Sequence, residues 1–311
     1  MEEILVDIEN DQKRLDVLLA EHYSDLSRSH IQKMIKANHI KVNDKVQKPS
    51  YLCNVDDVIY VDEIEAKPVE IIPEDIPLEV LYEDEDVLVV NKPKNMVVHP
   101  APGHSSGTLV NAIMFHCGDS LSGINGEIRP GIVHRIDKNT TGSLVICKND
   151  VAHISLAEQM KEHSVNRVYL GIVCGNQIPE SGTIEAPIGR DPKDRIKMAI
   201  NEKNGKEAVT HYRMLCAVKD YALMEFRLET GRTHQIRVHM ASLGFPLLGD
   251  DIYGRSKCPF KLEGQCLHAY KLGFIHPKSG EYIECNAPIP EYFIHLLDIL
   301  KMDYKDIIET I

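Results

Sequence analysis

Three prolines, Pro68, Pro73 and Pro77, fall among acidic and apolar residues in the segment 63–77. Proline fixes φ and lacks a backbone N–H, so such a segment continues neither a helix nor a central strand. The chain is therefore expected to fold as two units, 1–62 and 78–311, with 63–77 as the linker between them. Its length of 311 residues and 43% hydrophobic content fit about two domains with a full core. A linker of this kind would tether the small unit as an anchor, raising the local concentration of its ligand at the larger one.

Charge and cysteine usage narrow the class. The N-terminus, Met1-Glu2-Glu3-Ile4-Leu5-Val6-Asp7, is acidic where a signal peptide would be basic, and no apolar run approaches a membrane span, so a cytoplasmic protein without membrane contact is expected. Eight cysteines lie singly with no CxxC pair, a usage that fits reduced thiols. Cys258, Cys266 and His268 lie close enough to suggest zinc, but a fourth ligand is missing and packing is the simpler reading. A net charge of −12 argues against indiscriminate coating of nucleic acid, because phosphate contacts need Lys and Arg. The charge is uneven, however: residues 11–50 carry eight basic and five acidic side chains, and the sign reverses over 51–90.

In the small unit, Leu15, Leu18 and Leu19 fit one helix face, and Ile31, Met34 and Ile35 fit that of a second helix, which Ser27 is placed to cap. Strands follow at 40–43 and 58–62, with Asn43-Asp44 starting a turn between them. The second helix also carries Arg28, Lys33 and Lys36, either a solvated face or a face for phosphates. The pattern Arg14-Leu15-Asp16, Ser27-Arg28-Ser29 and Ile40-Lys41-Val42-Asn43 resembles the small RNA-binding module first known from ribosomal small-subunit protein four. The resemblance implies RNA contact through Arg14, Arg28, Lys33 and Lys36.

Beyond the linker, paired strands are expected at 78–82 and 87–91, with Lys92-Pro93 breaking the pairing and a helix over 108–117. A polar loop at 118–127 leads to the apolar run Gly131-Ile132-Val133-His134-Arg135-Ile136-Asp137, which reads as a strand ending in a turn at 138–142. A strand at 143–147 and a helix near 151–162, with Ile154, Leu156, Ala157 and Met160 inward, come next. Further strands are expected at 167–173, 208–216 and 221–229, with an exposed hairpin or loop at 189–206. Thr233 then reads as the cap and Gly244 as the stop of another helix, and an amphipathic helix over 291–301 ends the core. Strands and helices alternate only in part, so a doubly wound parallel sheet is not indicated.

Asp137, beside Arg135 at the end of its run, is the candidate reacting carboxylate, although an Asp in a turn commonly just bonds its own backbone. His134-Arg135-Ile136-Asp137 resembles the catalytic loop of protein kinases, but Asp does not directly follow Arg, and a phosphate-covering glycine loop and an Asp-Phe-Gly are missing. His234 and His239 are five apart with an Arg between them, unlike a zinc-binding helix. The start of that helix, with Arg232 and Arg237, suits a carboxylate or phosphate.

Taken together, His134-Arg135-Ile136-Asp137 with Thr141-Gly142, Tyr169, the run from Gly231 to His239, Gly249-Asp250 with Tyr253-Gly254, and Leu267-His268-Ala269 resemble the ribosomal RNA pseudouridine synthases of the RluA/RluD type. The resemblance spans residues 1 to about 300, and one departure is Ile136, where Leu is usual. It implies an α+β protein: a small RNA-binding module, and a catalytic domain on a mixed, mainly antiparallel sheet. It also implies isomerisation of uridines in large-subunit ribosomal RNA, without metal or organic cofactor, by a monomer that meets RNA or pre-ribosomal particles.

Roles follow from the same resemblance. Asp137 would act as nucleophile or base, and Arg237 would pair with it and fix its orientation. Tyr169 would stack on the base and assist proton removal from carbon 5, and Leu267 would support the base from below. Arg135 would fill the place of the flipped-out base. His134, Arg232 and His239 are expected to support the site or touch the RNA backbone, with purely structural roles as an equal alternative. A non-catalytic ribosome-assembly factor that keeps the fold for binding is the alternative.

Overall fold

The computed structural model describes residues 2–23, 28–62, 71–100, 106–118, 120–124, 130–194, 197–254 and 258–306. The chain divides into two compact units, Met1–Pro68 and Val69–Ile311.

In the first unit, β1 (Glu2–Leu5) precedes α1 (Leu15–His22) and α2 (Arg28–Lys36), followed by β2 (Ile40–Val42) and β3 (Val58–Val61). The strands form a three-stranded antiparallel sheet in the order β1-β3-β2. Leu15, Leu18 and Leu19 of α1 and Ile31, Met34 and Ile35 of α2 are buried together against Ile40, Val42, Ile59 and Val61. The helical spacing of these residues is what aims them into one core. Asn43 and Asp44 both have positive φ, 48° and 61°, and turn the chain back so that Lys45 bridges to Val42. The chain thus turns directly after β2, but a further loop precedes β3. Ser27, expected as a cap, lies outside the described residues, and β1 was not evident from the sequence.

Of the expected linker 63–77, residues 63–70 lie outside the described residues. Ile71 is buried in the core of the second unit. The Ile72 carbonyl accepts from Asn111 Nδ2 at 2.8 Å, and Glu74 N–H donates to the Asn111 carbonyl at 3.0 Å.

The second unit is built on a nine-stranded sheet. Its strands are β4 (Val80–Glu83), β5 (Val87–Lys92), β6 (Thr141–Cys147), β7 (Asn166–Cys174), β8 (Ser181–Glu185), β11 (Val209–Val218), β12 (Tyr221–Leu228), β13 (Leu267–Ile275) and β14 (Tyr282–Asn286). They run in the order β4-β5-β6-β13-β7-β12-β11-β8, with β14 also paired to β13. Every pairing is antiparallel except β6 with β13, where His268 faces Thr141 and Ala269 faces Gly142. The sheet is therefore mixed and mainly antiparallel. A separate hairpin, β9 (Ile188–Arg190) with β10 (Met198–Ile200), occupies part of the segment read as hairpin or loop.

Helices cover both faces of the sheet, which is why β6 is buried along its whole length. Alternate residues of β5 show the partition. Leu88 and Val90 join α3 (Leu109–Cys117) and α5 (Gln235–Ser242) in one core, while Val87 and Val89 join α4 (Asp150–Lys161) in another. On β7, Tyr169 and Val173 point to the α3/α5 face, and Leu170 and Ile172 pack on α6 (Glu291–Leu300). Thr108 and Asn111 cap α3 reciprocally, each side chain accepting the other's backbone N–H.

Three expectations are corrected. The run before Asp137 is not a strand: only Ile132 makes a bridge, to Ile146, and β6 begins at Thr141. On α4, Ala152, His153 and Leu156 face inward, whereas Ile154 is 61% exposed and Ala157 is also exposed. Thr233 does not cap α5. The N-cap is His234, in the left-handed region at φ 57°, without a side-chain cap bond. Buried Gln235 stabilises this turn instead, its Oε1 accepting from Arg232 N–H at 2.9 Å and from the Thr230 hydroxyl at 2.8 Å.

Candidate active site

Asp137 closes a loop rather than a strand, and two contacts fix that loop. His134 Nε2 accepts the Val145 N–H of β6 at 3.1 Å, and burial pushes the His134 pKa down to about 3, so the ring stays neutral. On the other side, the Lys138 carbonyl accepts from Lys92 Nζ at 3.1 Å. Lys92 is fully buried and also donates to the carbonyls of Pro93 and Met96, both at 2.8 Å. Burial draws its pKa down to about 7, with the charge of Asp137 opposing the shift. A residue that reads in the sequence as the end of a strand pairing is thus the post to which the Asp137 segment is tied.

Arg237 on α5 brings a distant part of the chain to Asp137. Its Nη1 donates to Asp137 Oδ2 at 3.0 Å, as the resemblance implies. The same guanidinium makes a bidentate pair with buried Asp250, Nε to Oδ2 at 2.7 Å and Nη2 to Oδ1 at 2.9 Å. Burial works against the charge of both partners, but their hydrogen bonds and mutual attraction outweigh it, raising the Arg237 pKa and lowering that of Asp250. The N–H groups of Ile252 and Tyr253 also donate to Asp250 Oδ1. Asp250 therefore accounts for the Gly249-Asp250 and Tyr253-Gly254 segment, to which the sequence attached no role.

Asp137 and Arg237 line a cavity of about 450 Å³. Its wall includes Tyr169 and Leu267, which are 7% and 4% exposed, respectively, and lie on the adjacent strands β7 and β13. Burial raises the Tyr169 pKa, so its hydroxyl keeps its proton at neutral pH, with Arg167 opposing the shift. Arg135 is exposed and lines the same cavity, with Nη1 3.4 Å from His99 Nε2. His134 and Arg232 line it too, Arg232 being held by its Nε donating to the Glu207 carbonyl at 2.8 Å. The site residues singled out in the larger unit are thus brought together. His239 is the exception: fully buried, it donates to the Ala186 carbonyl and accepts from Thr210, a structural place away from the cavity.

In the first unit, Asp16 is fully buried and binds Arg14 and Arg28 at 3.0 to 3.1 Å, with Gln32 as a further donor. Burial would raise its pKa, but these hydrogen bonds bring it down to about 2. Both arginine side chains stay 43% and 50% exposed, and Lys33 and Lys36 are exposed on α2. Asp16 thus fixes two cations in place while leaving them open to solvent.

The question of metal ligands has a local answer. Cys258 is exposed and Cys266 buried, while His268 accepts from the Thr141 hydroxyl and donates to the Ala287 carbonyl, which supports packing. Among the described residues, Asp84, Asp86 and His276 form a compact carboxylate and histidine group. His276 Nδ1 accepts from the N–H groups of Lys278 and Ser279, so Nε2 carries the proton that faces Asp84 Oδ2 at 2.8 Å. That arrangement sets a neutral imidazole against the carboxylate.

Comparison with known proteins agrees with this geometry. Residues 86–242 match the RNA pseudouridylate synthase family, and residues 13–59 match the S4 domain. An RNA pseudouridine synthase of Bacillus subtilis, YlyB, is 50% identical, covering 94% of this chain and 96% of its own. The ribosomal large subunit pseudouridine synthase D of Zymomonas mobilis is 46% identical, covering 94% and 95%. Among solved structures, human RNA pseudouridylate synthase domain containing 4 superposes with a TM-score of 0.56 at 25% identity, covering 72% of this chain and 93% of its own. With an S4 module ahead of a catalytic sheet that gathers Asp137, Arg237, Tyr169 and Leu267 about one cavity, the chain belongs to the RNA pseudouridine synthases.

Proposed function

We propose that this enzyme converts specific uridines of large-subunit ribosomal RNA to pseudouridine, acting in the cytoplasm as a monomer on RNA or pre-ribosomal particles. The RNA class is supported by relatives named ribosomal large subunit pseudouridine synthase D. The reaction gains and loses no atoms: the bond from N1 to C1′ breaks, C5 bonds to C1′, C5 loses its proton and N1 takes one up. Asp137 is the reacting carboxylate, and the observation that carries this reading is its 3.0 Å ion pair with Arg237 in the wall of the cavity.

Arg237 keeps Asp137 oriented, Tyr169 stacks on the base and assists removal of the C5 proton, and Leu267 supports the base from the next strand. The target base leaves its stack to reach Asp137, at a cost of a few kcal/mol. Arg135, exposed by the cavity, fills the vacated place. His134 and Arg232 support the substrate, and Arg14, Arg28, Lys33 and Lys36 bind the RNA backbone through the S4 module. The deciding experiment is Asp137→Asn, with tritium release from 5-tritiated uridine in large-subunit ribosomal RNA as the readout. The expected result is loss of release with RNA binding intact. Unchanged release would overturn the role of Asp137, and absence of release from the wild type would leave the reading of a non-catalytic assembly factor.

A further inference from the structure

The two oxygens of Asp137 are not equivalent. Oδ2 takes the Nη1–H of Arg237, whereas no described residue donates a hydrogen bond to Oδ1. His234 Nε2 lies 3.9 Å from that oxygen. Both side chains line the cavity and keep some exposure, 17% for His234 and 19% for Asp137.

The proton on His234 can be placed. Met198 N–H donates to Tyr253 Oη at 2.8 Å, and that oxygen lies 2.9 Å from His234 Nδ1. Among the described residues, Nδ1 is the acceptor within reach of the Tyr253 hydroxyl proton. Burial lowers the His234 pKa, in agreement with a neutral ring. A neutral imidazole that accepts at Nδ1 carries its proton at Nε2. His234 also sits in the left-handed region, at φ 57°, a conformation that costs a non-glycine residue on the order of 1 kcal/mol and is held here beside the reacting carboxylate.

A donor and an acceptor 3.9 Å apart are too far to bond each other but suit a shared atom at roughly 2.8 Å from each. That atom must accept one hydrogen bond and donate another, which describes a hydroxyl. Within an RNA chain, the 3′ and 5′ oxygens of a nucleotide are esterified, so its free hydroxyl is the 2′-OH. We propose that His234 Nε2–H and Asp137 Oδ1 together bind the ribose 2′-hydroxyl of the target nucleotide, with Tyr253 holding His234 in the donating tautomer. The 2′ oxygen is two bonds from C1′, so this contact brings Asp137 beside the carbon whose bond is exchanged. It also makes the site selective for ribose at that one nucleotide. The proposal rests on the reading of Asp137 as the reacting carboxylate.

The test is equilibrium binding, by fluorescence anisotropy, of a labelled substrate stem-loop and of the same RNA with one 2′-deoxyuridine at the target position. Isomerisation leaves the ribose hydroxyl in place, so turnover during the titration does not remove the group under test. The wild-type protein is expected to bind the deoxy RNA about tenfold more weakly, the scale of one lost hydrogen-bonded contact. His234→Ala should weaken binding of the all-ribose RNA and bring the two affinities together, and His234→Gln, which keeps an N–H donor, should restore part of the gap. Tyr253→Phe, which frees the tautomer, should narrow it. Equal affinities in the wild type, or a wild-type gap preserved in His234→Ala, would overturn the proposal. If His234→Ala does not fold, an undiminished gap in both His234→Gln and Tyr253→Phe does so. Tritium release that persists in Asp137→Asn would separately overturn the catalytic reading.

Discussion

Arg237 holds Asp250 with two hydrogen bonds, at 2.7 and 2.9 Å, and Asp137 with one, at 3.0 Å. The bidentate partner is fully buried, whereas Asp137 keeps 19% exposure toward the cavity. Asp250 is the anchor, and Arg237 transmits its position to the carboxylate at the cavity.

Asp250→Asn should therefore lower activity without touching substrate. Outer partners that orient a functional side chain are commonly worth 10- to 100-fold in related settings, and about that loss in kcat is expected in tritium-release assays. The variant also breaks a buried ion pair, so urea unfolding should show a loss of about 3 kcal/mol.

Arg237→Met goes further. If Asp137 were its sole partner, the change would leave the fold nearly intact. With Asp250 buried behind it, the variant strands a carboxylate, and about 3 to 5 kcal/mol of stability should be lost together with at least 100-fold in activity. Pairing the change with Asp250→Leu removes the stranded charge, so the double variant should recover much of the stability in urea titrations but none of the tritium release.

Lys92 gives a pH signature. Its pKa falls to about 7 in the folded protein, below its ordinary value of 10.5. Between those values the unfolded chain binds more protons than the folded one, so the Lys92 contribution makes stability rise with pH over about 7 to 10.5. Lys92→Met should remove that slope in urea denaturations run across this range. It should also lower activity, because the carbonyls of Pro93, Met96 and Lys138 lose their shared donor and the Asp137 segment loosens.

Gly142 cannot be replaced cheaply. Its φ is +113°, and a Cβ there would lie 2.2 Å from the Ala269 carbonyl oxygen, a backbone atom that cannot rotate away. Gly142→Ala should destabilise the larger unit by several kcal/mol or leave it insoluble, as read by thermal unfolding or soluble yield.

The sequence exposed what depends on period and hid what depends on contact. The faces of α1 and α2 were legible because Leu15, Leu18, Leu19, Ile31, Met34 and Ile35 repeat at helical spacing. The run from Gly131 to Ile136 misled because a buried loop needs apolar side chains as a strand does: Ile132 and Ile136 enter one core and Val133 packs on another. On α4, an inward His153 and an outward Ile154 defeat any scale that ranks residues by polarity alone. Asp137, Arg237, Tyr169 and Leu267 could be grouped through family resemblance. Asp250, Lys92 and His234 could not be assigned tasks, since a bidentate pair, three carbonyl contacts and a tautomer exist only once the chain is folded.

The parallel pairing of β6 with β13 has a consequence for how such a protein can change over time. It places the loop that carries Asp137 and the first residue of β13, Leu267, at the same end of the sheet. Everything between them in the chain leaves from this end and returns to it. Residues can therefore be gained or lost along parts of that excursion, in the β9 and β10 hairpin for example, while the spacing of Asp137 and Leu267 stays fixed.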